Sequence, residues 1–156
     1  MTEYDPEYEG EPYAEFITET LKPLIDETFR TKWQREYTGT AGSSMGGLIA
    51  LYIGFRYNEL FSRIGAFSPA LIGNTFPFET WEPSFPAQLY MDVGFKEGLQ
   101  YMDDYTYATN AWRLYFNLTR SGFPEEDIWF RTDPQAEHCE AAWAERFGPA
   151  VQWLFR

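Results

Sequence analysis

A serine flanked by glycines two residues away on each side, Gly42-x-Ser44-x-Gly46, carries the clearest chemical signal in the sequence. A strand-like segment over residues 36–41 precedes it, and an apolar helical segment that begins at Met45 follows it. In this pattern the serine occupies a sharp strand-to-helix turn, and glycine at both flanking positions removes side chains that would collide with the turn. The pattern therefore predicts Ser44 as a nucleophile and the Met45 N–H, at the start of the helix, as a donor to a developing oxyanion.

A serine hydroxyl needs a general base within hydrogen-bond reach, because it is a poor nucleophile at its own pKa. His138 is the single histidine of the chain. It follows the last predicted strand, and so completes the order serine, acid, histidine that accompanies this motif. We therefore predict His138 as the base.

The acid that orients the base is less clearly marked. The carboxylates between the serine and the histidine include Asp92, Glu97, Asp103 and Asp104. Glu97 lies three residues beyond Gly94, in a loop at the carboxyl end of a predicted strand, where it can reach the ring N–H of His138. We favour Glu97 and keep Asp92 and Asp104 as alternatives, with Asp133 as a weaker one.

Strand-like and helix-like segments alternate along the chain and predict a parallel sheet with helices on both faces. We predict strands over residues 36–41, 61–68, 87–94 and 128–132, and helices over residues 45–57, 104–121 and 141–155. A further helix runs from Tyr13 to Phe29, with a kink or a break at Pro23. Ligands of such sheets bind at the carboxyl ends of the strands, where Ser44, Glu97 and His138 are all expected to lie.

A long aromatic loop separates the second and third predicted strands. Residues 70–86 contain Phe76, Phe78, Trp81 and Phe85 between several prolines and glycines, without any periodicity. Loops of this length are often functional. We expect Phe76, Trp81 and Phe85 to line a substrate pocket, and ordinary packing is the alternative.

Length and charge restrict the function. The 156 residues suit one domain, residues 1–156, preceded by an extended acidic arm over residues 1–12. The net charge of −12 argues against nucleic acids and anionic membranes as partners. No apolar run approaches the roughly 18 residues of a membrane span, and the acidic N-terminus is unlike a signal peptide, so we expect a cytoplasmic protein. One histidine and one cysteine cannot build a closed zinc site, and no phosphate-binding loop is present, so we expect neither metal nor cofactor.

Several segments resemble, in order, those of the Putative esterase family of α/β hydrolases, which includes enterochelin-esterase-like proteins, feruloyl and acetylxylan esterases and S-formylglutathione hydrolases. They are EYDP at 3–6, YAEFI at 13–17, LKPLID at 21–26, FRT at 29–31, GSSMGGL at 42–48, FSPA at 67–70, DVGFKE at 92–97 and EHCEAAW at 137–143. The resemblance implies a three-layer α/β-hydrolase fold with about four parallel strands, and a triad of Ser44, Glu97 and His138.

The resemblance also implies a difference. Family members usually carry a further N-terminal segment, which holds the first strands and a loop that donates a second oxyanion N–H, and the match here begins after it. Losing one such donor costs ~10²- to 10³-fold in rate. We therefore expect an N-terminally shortened fold, and either a homo-oligomer that covers the face left open or a fragment of a longer chain.

Taken together, the residues favour a serine hydrolase that cleaves small carboxylic esters through an acyl-enzyme. Two alternatives remain. One is a catalytically weak or inactive fold that serves as a binding or assembly module. The other is an acyltransferase that passes the acyl group to an alcohol other than water.

Overall fold

A four-stranded parallel sheet organises the computed structural model, which describes residues 4–5, 9–71, 86–98 and 103–156. Its strands are β1 (Gly39–Ser43), β2 (Arg63–Phe67), β3 (Gln88–Lys96) and β4 (Ile128–Glu137), hydrogen-bonded in the order β1-β2-β3-β4. Neighbouring strands are parallel throughout. The predicted parallel α/β sheet is therefore confirmed.

Helices cover both faces of this sheet. The helices are α1 (Gly10–Glu15), α2 (Lys22–Thr28), α3 (Met45–Arg56), α4 (Asp104–Arg120) and α5 (Glu140–Leu154). Because crossovers between parallel strands are right-handed, strands that pair in chain order place α3 and α4 on the same face. The α5 helix packs against β2 and β3 from the opposite face. None of the helices in the described part of the chain is long and apolar enough to cross a membrane.

The alternation of side chains along the strands divides the core in two. One face buries Leu48 and Leu51 of α3 and Leu114 and Leu118 of α4 against Ile64, Ala66, Leu89 and Met91. The other face buries Ala150 and Leu154 of α5 against Phe67 and Tyr90. Each leucine, isoleucine, methionine or phenylalanine side chain fully buried in these clusters stabilises the fold by about 1.5–3 kcal/mol relative to its exposed state. The two clusters hold the carboxyl ends of the strands at a common edge.

The N-terminal region differs from the prediction. We predicted an extended arm over residues 1–12, and its end is wrong: residues 10–12 belong to α1, which begins at Gly10 and has Pro12 in its first turn. Proline is tolerated there because first-turn N–H groups have no intrahelical acceptor. The kink or break expected at Pro23 is a π-helix over Phe16–Leu21, which joins α1 to α2. The wider π-turn accommodates the helix disruption that proline causes.

The largest differences in strand boundaries are at the start of β1 and the end of β4. The strand predicted over residues 36–41 begins only at Gly39, because Arg35–Tyr37 form a 3₁₀ turn. The strand predicted over residues 128–132 continues to Glu137 despite Pro134. Among the described strands, β4 lies at one edge of the sheet, beside β3, where a missing N–H need not break a ladder.

Candidate active site

Ser44 lies between the end of β1 and the first turn of α3, with φ 55° and ψ −124°. Such a conformation is strained for a residue with a side chain. Gly42 is required beside it, since a Cβ there would lie 2.3 Å from the Gly46 carbonyl oxygen. The collision expected at Gly46 is not observed, because a Cβ at that position would meet no atom within 4 Å. The turn therefore demands glycine on one side of the serine only.

Backbone hydrogen bonds hold this strained turn in place. The Ser44 N–H donates to the Phe67 carbonyl at 2.9 Å, which fastens the turn to β2. The Ser44 carbonyl accepts from the N–H groups of Gly47, Leu48 and Ala70, at 3.0, 3.1 and 2.9 Å. Met45 is the first residue of α3, so its N–H belongs to the helix end that lacks intrahelical acceptors. This is the position in which an oxyanion donor was expected.

His138 lies between β4 and α5 and reaches Ser44 directly. Its Nε2 is 2.8 Å from the Ser44 Oγ, and its side chain is 8 % exposed. Two aromatic rings fix the imidazole plane: the Tyr107 centroid lies 5.0 Å away, and the Trp143 centroid lies 4.9 Å away nearly perpendicular to it. The imidazole is thus held with one nitrogen on the serine hydroxyl.

Glu97 follows the end of β3 and faces the other nitrogen of the ring. Its Oε2 lies 3.5 Å from His138 Nδ1, and the side chain is fully buried. Its Oε1 accepts from the Gly94 N–H at 2.6 Å and the Ser68 hydroxyl at 2.5 Å. Gly94 permits this approach, since a Cβ there would lie 2.3 Å from the Ala136 carbonyl oxygen and 2.6 Å from Glu97 Oε1.

The alternative acids have other partners. Asp92 accepts from the Tyr90 hydroxyl at 2.6 Å and the Ser68 N–H at 3.0 Å, and lies 3.1 Å from Arg146 Nε. Burial raises the pKa of Asp92, against the opposing effects of Arg146 and the two hydrogen bonds. Asp103 caps α4 through the Thr106 N–H, Asp104 accepts from the Gly98 N–H, and Asp133 lies 3.8 Å from Arg131. Of the acids considered, Glu97 is the one that the structure brings to His138.

Ser68 supports Glu97 and was not predicted as a site residue. Its hydroxyl donates to Glu97 Oε1 and accepts from Trp143 Nε1 and from Arg146 Nη2, both at 3.1 Å. One donated and two accepted hydrogen bonds exhaust the capacity of a hydroxyl. Ser68 also has a positive φ of 43°, which its bonds to Asp92 maintain. Its position at the carboxyl end of β2, beside the elbow, was the available signal.

Arg146 of α5 provides the cation of this cluster. It is 2 % exposed, with Nε 3.1 Å from Asp92 Oδ2 and Nη2 3.8 Å from Glu97 Oε1. Two buried carboxylates therefore share one buried guanidinium, which reduces the electrostatic cost of removing them from water. The sequence held a signal here as well. Trp143, Arg146 and Ala150 lie three and four residues apart, which places a basic residue on the apolar face of a helix.

The pocket positions Phe76, Trp81 and Phe85 lie outside the described residues. Within the described ranges, no three or more His, Cys, Asp and Glu side chains are grouped as metal ligands would be.

Comparison with known proteins identifies the family of the chain. Residues 2–154 match the family described as Putative esterase. The chain belongs to this family. "Uncharacterized protein YbbA" of Bacillus subtilis (strain 168) is 24 % identical over 151 residues, which are 94 % of this chain and 60 % of that protein.

Solved structures similar to this Putative esterase family member share its α/β-hydrolase fold. The ferulic acid esterase AmCE1/Fae1A from the anaerobic fungus Anaeromyces mucronatus has a TM-score of 0.77 and 23 % identity, over 96 % of this chain and 56 % of that one. The enterochelin esterase from Shigella flexneri has a TM-score of 0.76 and 19 % identity, over 92 % of this chain and 37 % of that one. The chain thus spans only part of the length of the proteins that it matches.

Proposed function

We propose that the chain is a serine esterase, which hydrolyses a small carboxylic ester through an acyl-enzyme. The observation that carries the proposal is the 2.8 Å contact between Ser44 Oγ and His138 Nε2, with the half-buried serine on a strained turn between β1 and α3. Family membership supports ester chemistry. The names of two proteins with the same fold, a ferulic acid esterase and an enterochelin esterase, agree with it.

In the acylation step, Ser44 Oγ attacks the ester carbonyl carbon while its proton passes to His138 Nε2. The carbonyl oxygen becomes an oxyanion, and the Met45 N–H at the start of α3 donates a hydrogen bond to it. The carbon–alkoxy bond then breaks. His138 returns the proton to the departing alkoxy oxygen, which leaves as the alcohol, and the acyl group stays on Ser44.

Glu97 orients the imidazole and stabilises its positive charge in both steps. The carboxylate faces His138 Nδ1, so it selects the tautomer whose Nε2 can accept the serine proton. The bonds from Gly94 and Ser68 to its other oxygen keep it turned toward the ring. In deacylation His138 takes a proton from water, whose oxygen bonds to the acyl carbon. The bond from that carbon to Ser44 Oγ then breaks, His138 returns the proton to Oγ, and the carboxylic acid is released.

A fluorophosphonate probe and p-nitrophenyl acetate test this proposal together. In Ser44→Ala, labelling should vanish and turnover should fall by about 10⁴- to 10⁶-fold, because the nucleophile is removed. Ser43→Ala is the matched control, since its serine precedes the nucleophile on β1, and it should keep labelling and turnover.

Other outcomes of the same experiment select the alternatives. Folded wild-type protein that neither reacts with the probe nor turns over the ester would overturn the esterase and favour the binding module. Probe labelling at Ser44, together with release of an acetyl ester of added glycerol in preference to acetate, would favour acyl transfer.

A further inference from the structure

Tyr107 carries a buried hydroxyl that the esterase mechanism does not use. It lies in the first turn of α4 and is 2 % exposed. Its Oη has no hydrogen-bond partner of normal geometry among the described residues. A buried polar group without a partner destabilises the fold, and a catalytic role is one of the recognised explanations for such a group in a native protein.

The surroundings place this hydroxyl beside the reacting atoms. The Tyr107 ring packs against the imidazole of His138, with 5.0 Å between their centroids. Burial raises the pKa of Tyr107, and the charge of Glu97 adds to the effect. The Ser44 hydroxyl is near enough to lower that pKa by hydrogen bonding, although no well-aligned bond forms. The phenol is therefore a protonated donor at neutral pH, close to both Ser44 and His138.

The topology decides which oxygen of the substrate this donor can serve. The Met45 N–H, which serves the carbonyl oxygen, belongs to α3 and so follows β1. Tyr107 belongs to α4, which follows β3, and it contacts the base that follows β4. The Tyr107 hydroxyl thus lies on the side of Ser44 that faces His138. The alkoxy oxygen must lie on this side too, because it receives its proton from His138 Nε2.

We propose that Tyr107 is a further catalytic residue, whose Oη–H donates a hydrogen bond to the alkoxy oxygen of the ester as the carbon–oxygen bond breaks. This inference rests on the proposed esterase function. Tyr107 keeps its proton throughout: the hydrogen bond stabilises the charge that develops on the leaving oxygen, and His138 supplies the proton that completes the alcohol. A ring that only packed against His138 would not need the hydroxyl.

Tyr107→Phe tests the proposal with a series of aryl acetates that share an acyl group and differ in leaving group. kcat/KM is the quantity to compare, because it reports on acylation. For p-methylphenyl acetate, a poor leaving group, kcat/KM should fall about 10- to 100-fold, the equivalent of one good hydrogen bond. For p-nitrophenyl acetate, whose leaving group needs little help, the loss should be under about 3-fold. The dependence of rate on leaving-group pKa should therefore steepen.

A purely structural hydroxyl would give a different result. Because the variant removes a buried hydroxyl that has no partner, its free energy of unfolding should equal or exceed that of the wild type. Tyr105→Phe, in the same helical turn but 79 % exposed, is the matched control and should change neither rate nor stability. An equal loss on all esters, no loss on any ester, or a destabilised Tyr107→Phe would each overturn the proposal.

The test also separates this inference from the function on which it rests. If turnover depends on Ser44 but the leaving-group dependence of Tyr107→Phe is unchanged, only the role of Tyr107 is wrong. If wild-type turnover does not depend on Ser44, the esterase proposal fails, and the role of Tyr107 fails with it.

Discussion

The carboxyl ends of β2 and β3 and the outer edge of β1 are built in opposite ways. The carboxyl ends of β2 and β3 hold three almost fully buried charged residues, Asp92, Glu97 and Arg146. The Ser68 hydroxyl beside them makes three hydrogen bonds. Charged groups are rarely buried unless partners compensate the loss of water. The chain itself supplies those partners, from β2, the turn after β3, and α5.

At the edge of β1, apolar side chains lie in solvent instead. Within the described residues, β1 has one hydrogen-bonded neighbour, β2. A groove beside this edge is lined by Gly39 of β1 and by Ile25, Tyr37 and Phe155, whose side chains are 38 %, 52 % and 45 % exposed. A second apolar groove borders β1 on the α5 face, between Phe67 and the half-exposed Phe147.

The two regions differ in where their partners come from: the chain pairs its own charged groups behind the active site, but its described residues leave the edge of β1 uncovered. The charged groups behind Ser44 and His138 are buried within the chain and pair with one another. Among the described residues, no strand pairs with the outer edge of β1, and aromatic side chains lie beside it, which is the usual character of a surface that another strand covers. We propose that a second copy of the chain covers this edge.

Glu97→Gln and Asp92→Asn form the sharpest test of the buried cluster. Each removes one buried carboxylate charge beside Arg146, but only Glu97 faces His138. Glu97→Gln should therefore lower kcat by about 10²- to 10⁴-fold, and Asp92→Asn by less than about 10-fold. Thermal unfolding of both variants shows whether stability differs between them. A loss of activity confined to Asp92→Asn would make Asp92 the acid.

Arg146→Met should produce the largest loss of stability. Removing the guanidinium leaves two buried carboxylates without their cation, and such changes cost about 3–5 kcal/mol. Urea unfolding measures the effect. Glu145→Gln, at the exposed neighbouring position, should stay within about 0.5 kcal/mol of the wild type.

A double variant sharpens the interpretation. Adding Asp92→Asn to Arg146→Met removes one of the two carboxylate charges that have lost their cation. Asp92→Asn should therefore lower the free energy of unfolding less in the Arg146→Met variant than in the wild type. If Arg146→Met alone cost under about 1 kcal/mol, the cation would not be compensating the carboxylates.

The edge of β1 should show the smallest effect on the folded monomer. Tyr37→Ser should change the monomer's free energy of unfolding by at most about 1 kcal/mol, since the ring is half exposed and the Lys32 Nζ that lies 4.4 Å from its centroid adds only a weak cation–π contact. It should, however, weaken self-association measured by size exclusion with light scattering. Tyr105→Ser, on α4, is the control. A wild-type chain that is monomeric at micromolar concentration would contradict the proposed second copy.

Sequence patterns predicted the parts that depend on local spacing. The motif around Ser44, the single histidine and the turn after Gly94 pointed to three side chains that the fold does bring together. Their catalytic roles stay predictions. The alternation of strands and helices gave the parallel sheet. The π-helix at Phe16–Leu21 was missed, because apolar steps of three and four residues do not distinguish it from an α-helix.

Contacts between elements that are distant in the sequence could not be predicted from such patterns. Ser68 is 75 and 78 residues from Trp143 and Arg146, and only the docking of α5 brings them within 3.1 Å. The position of Tyr107 beside His138 likewise depends on how α4 packs against β3 and β4. No spacing within one element encodes these distances.

The placement of Arg146 has a consequence for the order in which the protein matures. A ribosome synthesises Asp92 and Glu97 long before α5, so the two carboxylates exist for a time without their cation. Burying these carboxylates between the strands has a high free-energy cost until α5 docks and Arg146 pairs with both. We infer that the active site is completed only when α5 docks, after β2 and β3 have been made.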